Sequence, residues 1–172
     1  MATLFGENAT STQPNGSARF SHSRLRNSFL YYDCDTTAPG VGDILPIAFL
    51  KSSDRVRDLR VYVIDNDSTT GTADIGLYTV EYSNGSTSLT AVDDDLFETT
   101  PFVLNADIAF PGTDIITAGP LTDVVRHQPL WEVAGASSDP GETYAICFTF
   151  RAAVDGANKA EIFAEVEYVA GD

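Results

Sequence analysis

The chain has 172 residues and a mass of 18.5 kDa; 43% of its residues are hydrophobic, and 10 basic side chains stand against 25 acidic ones for a formal net charge of −15. One domain of this size buries enough surface to fold without a metal or disulfide framework, and the composition excludes collagen, coiled coil, zinc finger and disulfide scaffold. No apolar run reaches the roughly 20 residues of a membrane-spanning helix, and so acidic a chain repels phosphate backbones, which argues against nucleic-acid binding.

Residues 1–20 are rich in Ser, Thr, Asn, Gly and Ala and read as an extended or flexible segment. They lack the basic start and apolar stretch of a secretory signal. Residues 20–32, FSHSRLRNSFLYY, are different: apolar and aromatic, punctuated by arginines. Two roles are open to them, the first strand of the domain or an arm that binds a partner. The charge distribution favours the arm. Residues 1–32 hold Arg19, Arg24 and Arg26 against Glu7, a net of +2, whereas residues 33–172 hold seven basic and 24 acidic residues, a net of −17. A cationic arm on an acidic body suits docking on an acidic neighbour, another copy of the chain included. The candidate partner-interface residues are Arg19, Phe20, Arg24, Leu25, Arg26, Phe29, Leu30, Tyr31 and Tyr32. With the turn-rich connector containing Pro39, Gly40 and Gly42, the arm is expected over residues 1–43 and a β-sandwich domain over 44–172.

The rest reads as short strands between turns. Residues 44–51, ILPIAFLK, form an apolar run with one proline, which fits a strand buried on both faces or a sheet edge. Residues 57–64 alternate, with Leu59, Val61 and Val63 on one face. Residues 73–82 place Ile75, Leu77 and Thr79 on one face and Tyr78, Val80 and Tyr82 on the other. Asn84-Gly85 then marks a tight hairpin into residues 86–92. A short helix capped near Asp93–Asp95 is expected from the Asp-rich start of residues 93–104. Residues 105–142 are broken by four prolines and stay unassigned, except that Leu130 and Trp131 suggest an apolar plug on a loop or short helical turn. Two strands close the chain. Residues 143–151 set Tyr144, Ile146, Phe148 and Phe150 on one face, and residues 161–169 set Ile162, Ala164, Val166 and Tyr168 on one face. Seven or eight such strands around one core predict an all-β fold, an antiparallel β-sandwich of jelly-roll type, with a closed barrel as the alternative.

The chemistry-bearing residues are few. No nucleophile elbow, phosphate-binding loop or dinucleotide fingerprint is present. His22 lies in the arm and His127 in VVRHQPLW, too isolated to build a zinc site without carboxylates alone. Asp65-Asn66-Asp67 begins like a calcium loop, but Gly76 stands where the bidentate glutamate belongs. That stretch and Asp93-Asp94-Asp95 read as solvated turns or caps. Cys147 lies in an apolar strand, and Cys34 sits between two aspartates that disfavour a thiolate. No cofactor, no metal and no enzymatic activity are expected.

Three stretches together, TGTADIGLYTVEYSNG (70–85), DDDLFETT (93–100) and HQPLWEVAGASSDPGETYAICFTF (127–150), resemble a group of small virion structural proteins of tailed bacteriophages. The resemblance spans about residues 45–169 and leaves out the arm. It implies a capsid decoration or cement protein of the phage head, homo-oligomeric with a trimer favoured, bound to a major capsid protein and made in the bacterial host cytoplasm. A head–tail connector, tail or fibre-associated component is the alternative, and a carbohydrate-binding module or hydrolase a more distant one.

Overall fold

The structure is a computed structural model that describes residues 25–34, 36–64, 71–97, 102–103, 108–114, 128–154 and 161–171. Among the described residues, nine strands and one helical turn follow in chain order: β1 (Leu25–Asp33), β2 (Ile44–Lys51), β3 (Arg55–Ile64), β4 (Thr72–Ser83), β5 (Ser86–Asp93), β6 (Phe102–Val103), β7 (Ile108–Asp114), α1 (Leu130–Val133), β8 (Thr143–Ala152) and β9 (Glu161–Val169). They form two antiparallel sheets, one ordered β1-β9-β3-β7 and the other β2-β8-β4-β5, with β6 also paired to β4.

This order has a simple origin. β1 pairs with β9, β2 with β8, β3 with β7 and β4 with β5. The chain is thus one long hairpin, tipped by the β4–β5 turn and rolled so that successive rungs fall alternately in the two sheets. That is a jelly roll, as the alternating patterns predicted. The tip is the Asn84-Gly85 turn, whose positive φ angles of 51° and 81° match a two-residue hairpin of the mirror-image type.

The faces also follow the period-two patterns. From the second sheet, Leu45, Ile75, Leu77, Ile146, Phe148 and Phe150 point inward. They meet Leu30, Leu59, Val61, Ile162, Ala164 and Val166 from the first. Apart from the small Ala164, each such side chain removed from water contributes about 1.5–3 kcal/mol. Pro46 sits in β2 at a break in register, and β2 ends its sheet's order, where a missing N–H is tolerated. A second apolar cluster, Ile44, Tyr78, Val80, Ala145 and Cys147, is buried on the other face of the second sheet.

Two points that the sequence left open are resolved, and one expectation is corrected. Leu25–Asp33 takes the strand role left open above, pairing residue for residue with β9, so the 43/44 boundary falls after the first strand of the sandwich. No helix begins at Asp93: that residue ends β5, and residues 94–97 form a turn. There the Asp95 N–H donates to Asp93 Oδ1 (3.3 Å) and the Phe97 N–H to the Ile75 carbonyl (3.0 Å), which pulls the segment across β4 instead of into a helix. Finally, the unassigned region contains β7. Pro111 hides it in sequence, and the structure accommodates that proline in a strand at the end of its sheet, with a register break between the Val61 and Val63 pairings.

Leu130 and Trp131 do lie on a helical turn. Its first N–H groups have no side-chain cap; the Leu130 N–H donates to the Asp54 carbonyl (2.9 Å) and the Trp131 N–H to the Ser52 carbonyl (3.1 Å). The β2–β3 turn therefore holds α1, and Leu130 is fully buried beneath it.

Candidate docking surface

The outer face of the first sheet is built by register. Tyr31 on β1, Phe163 on β9 and Tyr62 on β3 line up across three strands. The Tyr31 and Phe163 rings lie 4.8 Å apart, centroid to centroid, tilted by 41°. The next row is Phe29, Glu165 and Arg60, and the one after it Asn27, Glu167 and Asp58. The Tyr31 hydroxyl donates to Glu161 (3.0 Å) and the Asn27 amide to Glu165 (3.0 Å), so β1 is tied to β9 by side chains as well as backbone. Arg60 pairs with Asp58 at 2.7 Å, which raises the guanidinium pKa, and these two residues with Glu165 and Glu167 line a shallow polar recess. The arrangement is an aromatic strip beside an acidic one, suited to holding a protein neighbour with basic and apolar side chains.

The candidate interface residues divide by strand face. Leu25 and Phe29 point outward and are 46% and 56% exposed, the proportions expected of contact residues rather than core. Tyr31 shares their face. Leu30 and Tyr32 are buried in the core instead, because they fall on the alternate positions of β1. Burial pushes the Tyr32 hydroxyl up to about 12, and it donates to the Thr37 carbonyl (2.7 Å). Arg26 is half-buried at the start of the strand. Arg19, Phe20 and Arg24 lie outside the described residues, as do His22, His127 and the acidic stretch at Asp65.

The carboxylates elsewhere serve the fold. Arg151 on β8 pairs with Asp74 on β4 and with Asp94 (2.7 Å) in the segment crossing it. The Tyr78 and Thr149 hydroxyls share a hydrogen bond beside them. Asp93, Asp94 and Asp95 bring carboxylate oxygens within 4.8 Å of one another, and the Asp93 carboxyl is raised, first by its bond to Asp95 and then by burial. Both cysteines are buried, and full burial pushes the Cys147 thiol well up, so it stays protonated and unreactive.

At the opposite end of β2, the Ser52 hydroxyl donates to Asp139 (2.5 Å), and this bond, with the Gly141 N–H, lowers the Asp139 carboxyl below 3.8. A lowered folded value stabilises the fold above the unfolded value and ceases to do so as pH falls through it. The stability advantage of the wild type over Ser52→Ala is therefore expected to be constant from neutrality to about pH 5 and to shrink below about pH 4. Melting curves over a pH series check this; an advantage that does not change with pH contradicts it.

Searches against family models and against curated proteins find no match. Among solved structures, a chain of the Cyanophage Pam1 capsid asymmetric unit aligns over 95% of this chain and 98% of its own, with 10% identity and a TM-score of 0.45. A chain from the capsid of Ralstonia phage GP4 aligns over 99% of both chains, with 16% identity and a TM-score of 0.58. This protein and that capsid chain share one fold.

Proposed function

We propose that the chain is a structural virion protein, a capsid decoration or cement protein of a phage head. It performs no reaction. It holds shell subunits together through the outer face of β1, β9 and β3 and through the basic segment ahead of β1, with a major capsid protein as its principal partner and other copies of itself as neighbours. The observation that carries this reading is the full-length likeness to a chain of the Ralstonia phage GP4 capsid. The distribution of polar groups supports it. Arg151 offsets one of the two charges of Asp74 and Asp94, and Arg60 offsets that of Asp58. The Arg151 pairings fasten β8 to β4 and to the segment crossing it, and the exposed Leu25 and Phe29 remain as the surface offered to a neighbour. Individually weak contacts become strong when a shell repeats them.

Quantifying the protein in purified particles tests the proposal. Copies in proportion to the shell subunits are expected. A dozen or fewer per particle would instead assign it to the tail or connector.

A further inference from the structure

We infer that a second copy of this chain docks on the outer side of β5, strand to strand, and continues the second sheet across a twofold axis. β5 ends the order β2-β8-β4-β5, and β4 is its strand partner among the described residues. Six of its eight residues are exposed, the highest exposure of any strand whose burial is described. Sheet ends of this kind are normally guarded by charges or proline. β5 has one such guard, Asp93 at its last position; residues 86–92, STSLTAV, contain no charge, proline or glycine.

The two-residue turn fixes which backbone groups are on offer. Ser83 with Ser86, Glu81 with Ser88 and Thr79 with Thr90 are the hydrogen-bonded pairs, so the N–H and C=O of Leu89 and Ala91 point away from β4. An antiparallel copy centred on Leu89 would exchange both bonds with the second copy's Leu89. Ser88 would then stand opposite the second copy's Thr90, and the exposed Tyr82 and Val92 would flank the seam.

Charge selects the occupant. Two chains of net charge −15 repel, and they approach most cheaply along residues 86–92, where neither presents an acid. Glu81, on β4, would be at least three strand spacings from its counterpart, about 14 Å, beyond the screening length of about 8 Å. Asp93 would fall opposite the uncharged Gly85 of the second copy. The inference does not depend on the virion reading, because the pair forms or fails in solution without particles.

Sedimentation equilibrium over a concentration series tests it. The wild type is expected to reach about 37 kDa, twice the 18.5 kDa chain. The double variant Ser88→Glu/Thr90→Glu puts like charges directly opposite across the axis and is expected to halve that mass. The matching variant Ser88→Lys/Thr90→Lys is expected to do the same, and an equimolar mixture of the two to restore the dimer. Both pairs lie on exposed positions, and unchanged melting temperatures would verify folding. A monomer at every concentration, a threefold mass, a dimer indifferent to the glutamates or a mixture that stays monomeric would each overturn the inference.

Discussion

Phe148→Ala is expected to cost about 4 kcal/mol. Phe148 is fully buried on β8, the strand between β2 and β4. It faces Leu45 on one neighbour and Ile75 on the other, with Phe150 two residues along at 6.5 Å between ring centroids. Deleting the ring opens a cavity walled by strands on both sides, which cannot collapse without breaking register. Against a usual stability of about 5–15 kcal/mol, such a loss leaves the fold marginal. Urea denaturation checks it: the midpoint should fall sharply with an unchanged slope. A shift below about 1 kcal/mol would mean that the two sheets are held by something other than this core.

Gly76→Ala is expected to cost about 3 kcal/mol and to lower the melting temperature by roughly 10 °C. An alanine Cβ at this position would lie 2.4 Å from the Asp94 Cα and 2.5 Å from the Asp93 carbonyl oxygen. These are backbone atoms, so no side-chain rotation relieves the clash. The crossing segment would have to lift from β4, which strains the Phe97 N–H bond to Ile75 and the Arg151 contact with Asp94. Crystallography or hydrogen exchange should therefore show loosening confined to residues 93–97. A variant as stable as the wild type would contradict the close crossing.

Much of the architecture was legible in the sequence because strands with one face in a core announce it. Ile162, Ala164, Val166 and Tyr168 alternate with Glu161, Phe163, Glu165 and Glu167, and the structure buries the first set. β7 was not legible, because Pro111 and Gly112 erase the alternation and its place depends on pairing with β3, far away in sequence. The Asp93 turn misled for a related reason. Asp-rich starts favour helix caps and tight turns alike, and the choice was made by Gly76, seventeen positions earlier, whose missing side chain lets the segment cross.

The candidate docking surface was half legible. The aromatic and basic residues of β1 stood out, but sequence could not say which alternate set faces outward. The register with β9 decides it: Leu25, Phe29 and Tyr31 join Phe163 and Glu165 outside, while Leu30 and Tyr32 join the core. The aromatic row was invisible for the same reason, since Tyr31, Tyr62 and Phe163 come from three separate parts of the chain and meet only through pairing.

Electron cryomicroscopy of the purified phage particle tests the virion assignment most directly. The account predicts density fitting this two-sheet fold at repeated positions over the head, with the face bearing Phe29 and Phe163 against a shell subunit. Particles that carry no such density on the head would contradict it.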